Sequence, residues 1–366
     1  MLENLPYNFE QFDQISFDKW VEKIESDLRG KPIQSLNWEF YRGQKISPFA
    51  HRDNIQSDII LNNESIIFRD NECLFLSKTT DELANISKAI NSRADGLIIE
   101  IGRNTINDID HVFDNVSHCS WKVNEMSKDV LPNLLKLGND RKNLNGYIFQ
   151  DSIGTLQELE SRVDTYNKVI DLSDSICQLR MIMLGNGLGG QPAALDELAM
   201  ICSQLVYFLE HVSGEPEEIA NKSFINLNIS NSFYLEIARI RAIKFLLSVI
   251  LSEFGVDTGK VQIPIHVNTM PEPEMEVISN TSQVMSAFLG GCDSISSMNL
   301  NSEDDDLRIH SNILKILKEE SFIDKTSAPI KGSYFMNDLL TRVIEVSWSK
   351  FVEIENNGGY ESLLKG

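Results

Sequence analysis

The chain has 366 residues, 42% of them hydrophobic, enough to bury a large core in one domain or two. Against 33 Lys and Arg stand 54 Asp and Glu, a formal charge of −21, and no basic run is long enough to follow a phosphate backbone, which argues against nucleic acid as a partner. The acidic start "MLENLPYNFEQFDQ" is unlike a signal peptide, and the most apolar stretch, "AIKFLLSVIL", contains Lys244 and is too short to cross a bilayer; a cytoplasmic protein is expected.

In chain order, residues 1–56 read as an N-terminal arm. "FDKWVEKIESDLRGKPIQSLNWEF" reads as a short amphipathic helix followed by an extended segment interrupted by Gly30 and Pro32. Such an arm cannot bury Trp20, Leu28, Leu36 and Trp38 by itself, so these four are candidate contacts to the rest of the chain or to a partner subunit. From residue 57 to 366, short apolar runs alternate with segments of helical period. The expected strands are "SIIFRDN", "GLIIEI", "SWKVNEM", "NGYIFQD", "QLRMIML", "FINLNIS", "QIPIHVN" and "DSISSMN". Helical segments lie between them, with Thr79, Thr80, Asn107 and Asn231 as expected caps. Two further helices follow, within "SEDDDLRIHSNILKILKEESF" and "SYFMNDLLTRVIEVSWSKFVEIENNGG". Eight strands with crossovers predict an α/β fold, a (β/α)8 TIM barrel with an N-terminal arm and extra C-terminal helices. A doubly wound open sheet is the alternative.

Several local patterns invite a chemical reading. Gly185, Gly187 and Gly190 in "RMIMLGNGLGGQP" have G-x-G-x-x-G spacing. A dinucleotide fold, however, needs that loop at its first strand and an acid ending the next; here several βα units precede it, and the next strand carries Asn226 and Asn228 instead. His266 and Asn268 end a strand on the face where barrels place their sites, so they are candidate ligand contacts, against the reading of a satisfied structural histidine. Glu100, Glu125 and Asp151 also fall at strand ends, but capping explains them more simply than a metal site, and "NSEDDDLR" is a solvated helix start. Cys73, Cys119, Cys177, Cys202 and Cys292 are widely spaced and never in a C-x-x-C pair, which suggests reduced thiols and no zinc. Taking Leu184 as facing the barrel interior, period two turns Ile182 and Arg180 inward and Met181 and Met183 outward.

"DLRGKPIQSLNWEF", "SAFLGGCDSI", "ILKILKEES" and "KGSYFMNDLLTRVIEVSWSKFVEIENNGG" follow one another in an order that resembles the methylmalonyl-CoA mutase family. The resemblance implies a barrel that takes a CoA thioester down its axis, with adenosylcobalamin held by a separate domain recognised by D-x-H-x-x-G. Asp110-His111 is the nearest match here and is followed by "VFDN". This chain is therefore expected to bind no cofactor alone and to meet adenosylcobalamin only within a complex. In active members a G-Y-H-I-Q-E-A-G-A segment supplies a His that polarises the thioester carbonyl, and laid on "IMLGNGLGG" it puts Leu184 in the His position. An apolar side chain offers no such help, so no catalytic residue is expected. The fourth-strand segment G-T-I-Q-N-D matches only loosely at Gln150 and Asp151. Of H-x-Q-T-S-G-W, His266 and Thr269 fit, Asn268 stands for Gln, and Ser-Gly-Trp is missing. These departures resemble the family's small, non-catalytic subunit, which implies a catalytic large subunit as partner in a heterodimer interconverting methylmalonyl-CoA and succinyl-CoA. The alternatives are an acyl-CoA mutase barrel working with a separate cobalamin-domain polypeptide, and a stand-alone CoA-ester-binding protein. Whichever holds, a barrel that admits CoA needs small hydroxyl-bearing interior residues, whereas the mostly Ile, Leu and Asn alternatives here predict a packed one.

Overall fold

The computed structural model describes residues 15–51, 73–80, 83–91, 94–100, 118–123, 145–151, 153–171, 179–185, 194–270, 272, 275–297, 304–325, 330 and 332–365. The expected strand "SIIFRDN", the caps at Asn107, and the segments around His111 and Glu125 lie outside them.

The barrel is built from β3 (Leu74–Thr80), β4 (Gly96–Glu100), β5 (His118–Val123), β6 (Gly146–Gln150), β7 (Leu179–Arg180), β8 (Ile182–Leu184), β9 (Ser223–Ile229), β10 (Ile265–Thr269) and β11 (Ser294–Ser297). Every neighbouring pair is parallel, and β11 pairs with β3. The sheet order starts at β7 and ends at β8. These are two halves of one strand broken at Met181: β7 bonds β6 on one side and β8 bonds β9 on the other. The ring therefore closes with eight strand positions among the described residues, confirming the (β/α)8 expectation over the open sheet. β3 occupies "LFLSKTT", which the sequence reading had passed over, and Thr79 and Thr80 are strand residues rather than caps.

The described helices follow the expected segments. They are α1 (Phe17–Asp27), α2 (Leu83–Asn91), α3 (Leu156–Asp171), α4 (Ala194–His211), α5 (Pro216–Lys222), α6 (Phe233–Glu253), α7 (Glu276–Gly290), α8 (Asp304–Lys315), α9 (Tyr334–Asn356) and α10 (Tyr360–Leu363). α5 was not expected; Pro216 at its first turn and a reciprocal Glu215–Glu218 capping box start it. The arm departs from a simple extended segment, because β1 (Trp38–Tyr41) and β2 (Gln44–Ile46) pair as an antiparallel hairpin. Phe40, Tyr41 and Ile46 of that hairpin join the same buried cluster as α4, α6 and α9. The Tyr41 hydroxyl donates to Asp196 Oδ1 at 2.6 Å, and Arg42 and Lys350 pair with the same carboxylate at 3.1 and 2.8 Å.

A buried charge cluster locks this side of the barrel. Arg239 on α6 bonds Glu197 of α4 at 2.5 Å and Glu236 at 2.6 Å, and its Nε donates to the Ala194 carbonyl. Glu236 also accepts from the backbone N–H and hydroxyl of Ser230, just beyond β9. All three charged side chains are at most 7% exposed, so each depends on the others to offset its desolvation. Arg239→Ala strands two buried carboxylates. We expect a loss of about 3–5 kcal/mol in unfolding free energy, measured by urea denaturation with an unchanged m-value.

Candidate functional site

Strand register decides which side chains enter the barrel. On β9, β10 and β11 the outward set (Ile225, Leu227, Ile229, Ile265, Val267, Ile295) belongs to the cluster shared with the helices. The alternate residues Phe224, Asn226, His266, Asn268, Ser294 and Ser296 therefore face in. Register carries this around the ring to Leu76 and Lys78, Ile98 and Glu100, Ser120 and Lys122, Tyr147 and Phe149.

The interior has two chemically different halves. Leu76, Ile98, Tyr147, Phe149, Met183 and Phe224 form a separate apolar cluster. Tyr147 stacks on Phe224 at 4.8 Å, and Phe149 meets Phe224 edge-on at 5.2 Å. Facing them is a polar belt. His266 bonds Ser294 through Nδ1 at 2.8 Å and Ser296 through Nε2 at 3.1 Å. The Asn268 carbonyl oxygen accepts from Ser296 and from Lys78 Nζ, and its amide donates to Asn226. Phe149 covers the His266 ring edge-on at 4.9 Å.

Burial shapes the electrostatics of this belt. It pushes the imidazole of His266 well below its ordinary value, and the nearby Lys78 and His118 add to the effect. His118, bonded to Ser120 at 3.2 Å, is pushed down to about 4 by burial. Lys78 is lowered to about 8, first by burial and then by Lys122, with Glu100 opposing. Glu100 and Lys122 pair at 3.0 Å at the outer end of this column, both partly exposed.

Of the candidates read from sequence, His266 and Asn268 line the barrel. Thr269 is on the opposite parity and faces the helices. Gln150 also points outward: its amide donates to the Met181 carbonyl and its oxygen meets the Tyr166 hydroxyl of α3. Asp151 is exposed, and its carbonyl accepts from Arg162. The expected parity of the fifth strand is corrected as well. The break at Met181 leaves Arg180 beside inward-facing Tyr147 but turns Met183 inward, and Ile182 and Leu184 pack in the outer cluster. A histidine placed at Leu184 would therefore not reach the barrel interior. Lys78, Tyr147, Phe149 and Ser120 were missed, although the alternation in "SISS" and "GYIFQ" carried part of the signal.

Gly185 shows why the glycine-rich corner is there. Its φ is +96°, a side-chain Cβ would lie 2.4 Å from the Asn226 carbonyl, and its N–H donates to Gln204. These are demands of a close backbone approach rather than of a phosphate. Glu100 is paired with Lys122, and among the described residues no three His, Cys, Asp or Glu side chains converge as a metal site. Both nitrogens of His266 are engaged by serines. This imidazole therefore does not fit as a cobalt ligand.

Topology and site together define a closed (β/α)8 barrel with a filled interior. Residues 193–366 match the family model described as methylmalonyl-CoA mutase. Across 96% of its length the chain is 23% identical to the methylmalonyl-CoA mutase small subunit of Porphyromonas gingivalis. Over 39% of its length it is 28% identical to the methylmalonyl-CoA mutase of Cereibacter sphaeroides, and over 37% it is 26% identical to the P. gingivalis large subunit. The resemblance to the methylmalonyl-CoA mutase family is thus borne out. The chain spans 65% of the length of that small subunit, 22% of the Cereibacter protein and 21% of the large subunit. An archaeal fructose 1,6-bisphosphate aldolase superposes with a TM-score of 0.41 at 10% identity, over 70% of this chain and 98% of the aldolase. Among the described residues no helix is long and apolar enough to cross a membrane.

Two buried neutral imidazoles have a pH signature. Their folded pKa values lie below the unfolded 6.5, so below that pH the unfolded chain binds more protons and stability falls as the medium is acidified. Each contributes a slope of up to about 1.4 kcal/mol per pH unit below 6.5, flattening once its folded pKa is passed. Urea unfolding from about pH 7 to about pH 5 should show this fall, and His118→Gln should remove one histidine's share of the slope.

Proposed function

We propose that this chain is the barrel of a small, non-catalytic subunit of an adenosylcobalamin-dependent methylmalonyl-CoA mutase. It would pair in the cytoplasm with a catalytic large subunit that interconverts methylmalonyl-CoA and succinyl-CoA. The observation that carries this reading is the filling of the barrel axis by Tyr147, Phe149 and Phe224, closed over a His266 whose two nitrogens are already bonded. A pantetheine chain along the axis would have to displace those rings, and the His266 imidazole, with both nitrogens engaged by serines, is not available to polarise a thioester carbonyl. The similarity to a small subunit across nearly the whole chain points the same way.

The arm supplies a docking surface. α1 buries none of its residues. Among the described residues Trp20 meets Phe49 edge-on at 5.0 Å and Phe17 at 6.0 Å; Leu28 is half-buried, and Leu36 is 37% exposed. Trp38 differs, because it packs on this chain's own core beside Phe40. We therefore assign partner contact to Trp20, Leu28 and Leu36.

Co-expression with a tagged large subunit from the same source should recover the two chains together with mutase activity. Trp20→Ala combined with Leu36→Ala should weaken the complex by roughly tenfold or more while leaving the monomer's unfolding midpoint in place. Absence of a complex with any such subunit overturns the reading. In isothermal titration, methylmalonyl-CoA should give no binding heat with the isolated chain, whereas saturable binding would favour a barrel open to CoA.

A further inference from the structure

The N-terminal end of the barrel carries chemistry that the proposed function does not use. There the first and last strands meet: the Leu74 N–H donates to the Asp293 carbonyl at 3.0 Å. Cys73 and Cys292 flank this seam, both buried, with their sulfurs 3.5 Å apart and one thiol donating to the other. Cys73 also lines a cavity of about 340 Å³. Phe75, Phe288 and Phe322 wall it, and three lysines (Lys315, Lys318 and Lys325) stand against two carboxylates, Asp95 and Glu319. Lys318 pairs with Asp95 at 3.5 Å and donates to the Cys73 carbonyl at 3.4 Å, and the Asp293 carboxylate also acts on the Cys73 thiol.

Backbone irregularities coincide with the cavity wall. α8 widens into a π-helical turn over Ile316–Glu320, and Phe322 adopts φ +51° with 59% of its surface exposed. A left-handed conformation is costly for a bulky residue, and π-turns recur where a site is shaped.

We propose that Cys73 and Cys292 are a redox-active dithiol, oxidised to a disulfide across the barrel seam by a small disulfide such as glutathione disulfide entering this cavity. The Cys73 thiolate attacks one sulfur of the incoming disulfide, forming a mixed disulfide and expelling one small thiolate. Cys292 then attacks the Cys73 sulfur and expels the second. Two protein thiols and one small disulfide become one protein disulfide and two small thiols, which take up the two protons. Two electrons pass from the protein to the incoming disulfide. Small side-chain rotations must shorten the contact from 3.5 Å to about 2.05 Å. The product staples the first barrel strand to the last, closing a long loop of chain. Burial, reinforced by Cys292, pushes the Cys73 thiol well above its ordinary value, with Lys318 opposing. The first attack is therefore slow near neutral pH and accelerates as pH rises.

The test uses the full-length reduced chain, incubated with glutathione disulfide and mapped by non-reducing peptide mass spectrometry. A linked peptide pair containing residues 73 and 292 is expected, reversed by dithiothreitol. Cys292→Ser should stop at the mixed disulfide on Cys73. Should that variant not fold, alkylation of the wild-type protein serves instead: oxidation should remove labelling at Cys73 and Cys292 together and leave Cys119 and Cys202 unchanged. Absence of the linked pair overturns the dithiol, and failure to trap glutathione on Cys73 in a folded Cys292→Ser overturns the first attack by Cys73.

Discussion

The break at Met181 is the constraint on which the rest of the barrel depends. β7 and β8 are one strand in sequence, yet each half bonds a different neighbour, so this single irregularity closes the ring. It also changes the side-chain parity within the strand, because an extra residue between Arg180 and Met183 exchanges inside for outside. Met183 then joins Phe224 and Phe149 in the apolar half of the interior, and its sulfur accepts from the Asn226 amide at 3.8 Å. The Met181 N–H, freed from the regular ladder, donates to the Lys222 carbonyl, and its carbonyl accepts from Gln150. Closure, interior packing and the outward turn of Leu184 are consequences of one local event.

The interior that results is a satisfied one. Hydrogen bonds run from Lys78 through Asn268 to Asn226 on one side and through Ser296 to His266 and Ser294 on the other. Such a network is worth most when every member is paired, and pairing removes the same groups from chemistry. An acid–base catalyst needs a group able to exchange a proton near neutral pH. His266 is held neutral by burial and lies under the Phe149 ring. The belt thereby fixes the packing of the aromatic half against β9, β10 and β11.

Much of the fold was legible from the sequence. The eight-unit rhythm, the long helices α4, α6 and α9, and strands such as "GLIIEI" and "FINLNIS" stood out because continuous apolar runs and a 3.6-residue period both report burial. Three features did not. "LFLSKTT" was hidden because its inward Lys78 and outward Ser77 look like a solvated turn, and the hairpin at Trp38–Ile46 because its strands are short and lie over a helical layer. The parity of "QLRMIML" was misread because its all-apolar half "MIML" carries no mark of which side faces in, and a bulge leaves no sequence signature. At the site, His266 and Asn268 stand at a strand end and face the interior, whereas Gln150 and Thr269 emerge on the outer face, because matching a motif letter does not fix the face on which a side chain emerges.

The arm is pinned to its own chain through the hairpin. Asp196 receives the Tyr41 hydroxyl, Arg42 and Lys350, so the hairpin is pinned to α4 and α9 by a shared carboxylate as well as by Phe40 and Ile46 in the core. Immediately before it, α1 has an N-cap from Ser16, an exposed Lys23–Asp27 pair on its surface, and no residue buried. A helix of eleven residues is marginal without tertiary packing. Its amphipathic face gains stability only when something covers it. The hairpin fixes where that face stands, so a partner that buries Trp20 and Leu28 meets a pre-positioned surface and bears less of the ordering cost than it would with a loose tail.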